Sequence, residues 1–346
     1  MKNLSKYSEM LSEAVEGVII CVFMALSVIY IDDVKSAVIR SIKSCVFTIV
    51  PSLFVMCVLS SAVMNSRAIN KVLSIFKINP SVLAAFILGN IGGYPIGAKI
   101  LKDMVDKKEL TAQEAEKAIC FCYASGPAFC LGIISASVFK SRILGLASVG
   151  AVFLANLCLF LFFAGSFKRR SGQTHISARS FTDNITSSVV SSSYAMLSVC
   201  SAIVFFSAII AIINAIIPAT SDMHILNSIL EISNASSLKC TGIIDFVIVT
   251  VLLAFGGVCV HMQIKSLAGT AFSFKSFYLV MPIRLAITAA FAGTFYYLIQ
   301  RYLPASSTET NIVISQSGSV VPLICVIGMS TISFTYRYQK NKRADR

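Results

Sequence analysis

The stretch SVLAAFILGNIGGYPIGAKIL, residues 81–101, decides how this chain folds. Its opening part, 81–91, is apolar enough for a membrane interior. It is too short to cross ~30 Å of hydrocarbon, which takes roughly 20 residues of helix. Asn79-Pro80 just before it reads as an N-cap followed by a first-turn proline. Gly92-Gly93-Tyr94-Pro95 then interrupts the helix. Each glycine lowers helix propensity by ~1 kcal/mol relative to Ala, and Pro95 has no backbone donor. A break at membrane depth strands N–H and C=O groups, which is tolerable only where protein or a wet cavity lines the backbone. The segment that restarts near Pro95 turns the positive end of its dipole to that spot, with Lys99 one turn further along.

The rest of the chain agrees with a membrane interior. Of 346 residues, 56% are hydrophobic and only 13% charged, and the mean hydropathy is +0.81. Soluble domains carry ~25% charged residues, so a soluble enzyme or a nucleic-acid-binding domain is excluded. The net charge of +13 then reads as basic cytoplasmic loops. The expected fold is an all-α polytopic membrane protein with about eight transmembrane helices and re-entrant or broken helices in two repeated halves. The apolar runs are 15–31, 44–64, 118–139, 143–167, 195–217, 242–263, 277–303 and 318–335. The first reads as a retained span, because Glu9, Glu13 and Glu16 precede it and no small-residue cleavage site follows. Residues 66–78, with Arg67, Lys71 and Lys77, read as an interfacial amphipathic helix. Thr111 and Glu114 form a capping-box pattern, so a helix is expected to start there and enter the membrane at Ala118.

Basic residues set the topology. Lys168, Arg169, Arg170 and Arg179 mark a cytoplasmic central loop, and the tail with Arg337, Lys340, Lys342, Arg343 and Arg346 lies on the same side. Loop 304–317 carries Glu309 and no basic residue, so it lies outside. The expected organisation is an N-terminal span and amphipathic linker (1–43), a first repeat (44–167), the basic loop (168–186), a second repeat (187–335) and the basic tail (336–346). In the second half Gly256-Gly257 opens GGVCVHMQI, the counterpart of GGYPIGAKI from Gly92. Paired glycine-interrupted segments point to a transporter binding site.

Polar groups inside apolar runs are the candidate ligands for a solute. Ser125-Gly126-Pro127, preceded by Tyr123, is a further helix break. Glu231, Ser233 and Asn234 cluster on the short segment 225–238, His261 and Gln263 follow the second diglycine, and Arg284 sits within 277–303. Lys99, His261 and Arg284 outnumber the intramembrane acids, which favours an anionic solute. The eleven cysteines show no metal-ligand or disulfide spacing, and no catalytic motif appears. The chain is therefore expected to be no enzyme and to hold no metal or cofactor. Its expected partners are the lipid bilayer, a small anionic solute, and either further copies of itself or other membrane proteins.

GGYPIGAK at 92–99, LTAQEAEKAICF at 110–121 and YASGPAF at 123–129 resemble the nucleoside recognition (Gate) domain membrane proteins, and more narrowly the YlbJ-type sporulation integral membrane proteins. Glu231-Ile232-Ser233, GGVCVHMQ at 256–263 and Arg284 carry the resemblance through the second half. Gly126 stands where the family pattern has Asn. The resemblance implies a carrier or facilitator of a small organic anion in the membrane of an endospore-forming cell, with dipicolinate as the solute. In that reading Gly92, Gly93, Tyr94, Pro95, Ser125, Gly126, Pro127, Gly256 and Gly257 line the site. Lys99 and Arg284 attract carboxylates, His261 and Gln263 hydrogen-bond them, and Tyr123 stacks on the ring. A nucleoside or nucleobase carrier coupled to a cation through Glu231, and a non-transporting scaffold for spore-envelope assembly, are the alternatives.

Overall fold

The computed structural model describes residues 2–64, 79–167, 181–217 and 221–302, and the described residues contain helices and no strands. The interfacial helix expected at 66–78, most of the basic loop, the run 318–335 and the tail lie outside them. The helices are α1 (Lys2–Ile29), α2 (Ile31–Met64), α3 (Pro80–Gly92), α4 (Tyr94–Asp106), α5 (Ala112–Ala118) and α6 (Pro127–Phe139). They continue as α7 (Arg142–Phe163), α8 (Phe181–Ile216), α9 (Ser221–Leu230), α10 (Ile243–Phe255), α11 (Gly257–Ala268) and α12 (Lys275–Tyr302).

Among the described residues five helices are long and apolar enough to cross a membrane: α2, α7 with the turn that follows it, α8, α10 continued by α11, and α12. Their outer faces leave Phe162, Ile244 and Leu279 exposed, which suits hydrocarbon and not water. Three boundaries differ from the sequence expectation. The run 44–64 is the second half of a single helix from Ile31 to Met64, so the division drawn at 43/44 falls inside it. Its turn at Cys45–Ile49 widens to π geometry, with Val50 N–H donating to Cys45 O. Pro51 would press on the carbonyl of Phe47 in a regular helix, and widening the turn relieves that contact. The run 118–139 is no single span. The capping box is made, with Thr111 N–H donating to Glu114 Oε2 at 2.8 Å and Glu114 N–H to Thr111 Oγ1 at 3.2 Å. But α5 stops at Ala118, the chain leaves helical conformation, and α6 begins at Pro127. Run 195–217 belongs to the longer α8.

The core is built where these interruptions meet. α3 folds back along α4, α4 packs on α11, α2 crosses α8, and α12 lies against both α7 and α10. Asn79 caps α3 with its side chain, accepting from Ser81 N–H at 3.0 Å. The non-helical strip 119–125 threads through the centre, fully buried from Ile119 to Ser125. Gly89 and Gly97 make room for it: a Cβ at Gly89 would lie 2.6 Å from the Cys122 carbonyl oxygen, and one at Gly97 would overlap that oxygen outright.

Candidate functional site

The two diglycine breaks differ in kind. In the first, Gly92 stays helical and Gly93 alone takes a positive φ of 95°. In the second, Gly256 and Gly257 both have φ 83°. The second break strands the last carbonyls of α10, and side chains from three helices and the central strip claim them. Gly256 N–H donates to Leu252 O at 2.8 Å. The Tyr94 hydroxyl donates to Leu253 O, and the Arg284 guanidinium to Ala254 O. The Tyr123 hydroxyl donates to Phe255 O at 2.6 Å, and His261 Nε2 lies 3.0 Å from the same oxygen. A carbonyl only accepts, so His261 carries its proton on Nε2. The guanidinium also meets the negative end of the α10 dipole, where a cation is favoured.

Arg284 reaches further. Its second bond goes to Tyr123 O at 2.7 Å, and its guanidinium stacks 4.7 Å from the centre of the Tyr123 ring. Asn156 Nδ2 donates to the same Tyr123 O at 2.9 Å and to Asn90 Oδ1 at 2.7 Å. Asn90 Nδ2 in turn donates to Phe121 O at 3.0 Å and Phe86 O at 2.7 Å. This network replaces the backbone bonds that strip 119–125 gives up by leaving helical conformation. Arg284, Tyr123, His261 and Asn156 are thus committed to protein carbonyls.

The first break opens into a cavity. A pocket of about 70 Å³ is bounded by Gly93, Tyr94 and Pro95 from the break, Gly126, Gln263 and Glu231. It shares Thr48, Ile49, Phe129, Glu231 and Ser233 with a larger cavity of about 510 Å³, which Arg40, Asn214 and Asn234 also line. The larger volume is in the range of small-molecule sites. Gly93 and Gly126 touch, since a Cβ on Gly93 would sit 3.2 Å from Gly126 N. The amino ends of α4 and α6 therefore converge on one wall. Glu231, 2% exposed, caps a short 3₁₀ turn, Ile232–Ser237. Its carboxylate accepts from Ser233 N–H at 3.0 Å, from the Ser233 hydroxyl, and from Asn234 Nδ2 at 3.2 Å. Gly257 gives this turn its place: a Cβ there would lie 3.2 Å from both Ile229 O and Ile232 N.

Of the sequence-derived site residues, the structure brings Gly93, Tyr94, Pro95, Gly126, Glu231, Ser233, Asn234 and Gln263 onto this cavity. Lys99, Tyr123, Ser125, Gly256, Gly257, His261 and Arg284 do not line it, and neither does Gly92. Pro127 faces a separate groove with Arg142. Ser125 Oγ accepts from the Cys130 thiol at 3.2 Å. Of the three basic residues expected around one solute, His261 and Arg284 hydrogen-bond backbone carbonyls, and Lys99 bonds two serine hydroxyls away from this cavity. Sequence reasoning missed Thr48 on the widened turn of α2, Ser52 just after it, and Asn90 and Asn156. An isolated Asn in an apolar run was a readable signal for the latter two.

These features define an α-helical integral membrane protein with a cross-linked helix break in its core and a polar cavity beside it. No family model, curated protein or solved structure matches the chain.

Proposed function

We propose that this chain is a secondary carrier that binds a small polar solute in the cavity beside Glu231. The observation that supports it is a carboxylate 2% exposed, held on a short turn between interrupted helices and lining a cavity of about 510 Å³. Ionisable groups inside a membrane are costly, so one retained against open volume is a candidate for contact with a solute or ion. A carboxylate offers about four lone-pair sites. Ser233 and Asn234 occupy three of these, which leaves capacity for a donor on the solute.

That chemistry favours a solute bearing N–H and O–H donors over a dianion. It moves the nucleoside or nucleobase reading ahead of dipicolinate. Arg40, on the wall of the larger cavity, is the one basic group supporting an anion. The reading includes the finer architecture drawn from the sequence: about eight crossings with re-entrant or broken helices in two repeated halves. It also includes membership of the Gate-domain, YlbJ-like group and a place in the membrane of a sporulating cell, all supported by the motifs quoted above.

The test is uptake into vesicles of purified full-length protein, with labelled uridine, adenine and dipicolinate in parallel. Uptake of a nucleoside or base that Glu231→Gln abolishes supports the proposal. Uptake of dipicolinate alone, lost in Arg40→Gln, returns the solute to the anion class. No uptake of any solute, with no thermal stabilisation by any of them, refutes the carrier reading in favour of a scaffold.

A further inference from the structure

Lys99 stands apart from the cavity. It lies on the second turn of α4, where that helix meets the carboxyl end of α2 and the opening turns of α8. Its ammonium donates to Ser61 Oγ at 3.1 Å and to Ser191 Oγ at 3.0 Å, and the residue is 8% exposed. Both hydrogen-bond partners of Lys99 are hydroxyls, and no carboxylate among the described residues is in contact with it. Asp103, one turn along α4, is close enough to interact through space and makes no bond to it. Two hydroxyl dipoles do not neutralise a buried charge.

A second observation lies on α8. Ser188 and Ser192 are 1% and 0% exposed, and neither hydroxyl has a hydrogen-bond partner. A serine inside a helix ordinarily donates back to the carbonyl one turn earlier. Ser193 does so, to Val189 O at 2.9 Å. Positions 188, 191 and 192 share a helical face, and Ser191 on that face holds Lys99. An ammonium with no carboxylate in contact thus adjoins a helix face that carries two buried hydroxyls without partners, Ser188 and Ser192. One negatively charged group rich in acceptor oxygens would satisfy all of them. Asn184 Oδ1 is also unpartnered, but it lies two turns before Ser191, too far along the helix to share that ligand.

We propose that Lys99, Ser61, Ser188, Ser191 and Ser192 form a binding site for a small oxyanion, distinct from the Glu231 cavity. Phosphate fits best, because its four oxygens can accept from the ammonium and from several hydroxyls at once. The proposal is independent of what the cavity carries.

Thermal unfolding of the full-length protein in neutral detergent tests it. Sodium phosphate, sulfate and acetate are titrated separately, with ionic strength held constant by sodium chloride. A ligand that binds only the folded form raises Tm with the logarithm of its concentration above saturation. The expected result is a rise that grows with log concentration and is largest with phosphate. Lys99→Met, which keeps the stem and removes the charge, should abolish it. Ser192→Ala, which removes one of the unpartnered hydroxyls, should raise the concentration needed for a given rise about tenfold, as loss of one charge-assisted bond implies. Absence of a rise with all three anions overturns the site, and so does a rise that survives Lys99→Met. Should Lys99→Met not fold, an unchanged concentration dependence in Ser192→Ala overturns it instead.

Discussion

Replacing Arg284 by Met tests whether the guanidinium belongs to the fold or to a solute. Arg284 is 1% exposed and donates to Tyr123 O and Ala254 O. Each bond from a charged donor is worth ~1.5–3 kcal/mol, and the stacking on Tyr123 adds ~0.5–2 kcal/mol. Removing the buried charge recovers part of its desolvation cost, which is several kcal/mol. Met also roughly conserves volume. Tyr123 O keeps its bond from Asn156, whereas Ala254 O loses its side-chain donor. The net expectation is a loss of ~2–4 kcal/mol. At ~2 °C per kcal/mol for a large chain, Tm in detergent should fall by roughly 4–8 °C. Arg284→Lys should fall in between, since an ammonium reaches fewer carbonyls at fixed geometry. Solute affinity measured well below the Tm of the variant should stay near that of the unmodified protein. An Arg284→Met protein with unchanged Tm and no solute binding would refute this assignment and make the guanidinium a ligand for the solute.

Four other outcomes follow from the same contacts. Glu231→Gln should cut solute affinity by at least about tenfold in a binding assay while Tm moves by ~1–2 kcal/mol equivalent, because an amide still accepts from Ser233 but places a donor in the cluster. Gly256→Ala should destabilise by more than the ~1–2 kcal/mol of a left-handed residue, since its Cβ overlaps the Tyr123 hydroxyl; a near-normal Tm would count against the cross-linked break. Thr111→Ala should cost ~1 kcal/mol through loss of the cap on α5 and leave solute binding intact. Burial in the loop after α4 pushes the Glu109 carboxyl up from its ordinary range, opposed by Lys107 and the Ser81 hydroxyl. The folded state then holds the proton longer than the unfolded chain, so this group's contribution to stability declines as pH rises from the unfolded carboxylate value through the raised one. Glu109→Gln should flatten that part of a Tm-against-pH profile.

Much of the break geometry could be read in the chain. Asn79-Pro80, Gly93-Tyr94-Pro95, Thr111 with Glu114, and Gly256-Gly257 each carry backbone chemistry that acts over a few residues, and each occupies the conformation that chemistry demands. The helix through Cys45 was less legible. The polar face of Ile31–Ser44 reads as a linker, and only packing against α8 reveals one continuous helix. The segment 118–139 misled because its composition is apolar throughout. What removes it from helical form is a network from distant positions: Asn90, Asn156 and Arg284 supply the donors its carbonyls need.

Composition and local pattern alone determined that this is a helical membrane protein with helices interrupted at glycine and proline, because hydrophobicity and backbone restrictions are properties of short stretches. Only the tertiary structure decided which interrupted end is sealed and which faces a cavity. Arg284 and Glu231 are both isolated charges in apolar sequence. The first meets the stranded carbonyls of another helix and becomes part of the scaffold. The second satisfies itself on its own turn and keeps an oxygen face toward open volume. That difference depends on which donors and acceptors arrive from far along the chain, and spacing in sequence does not encode it.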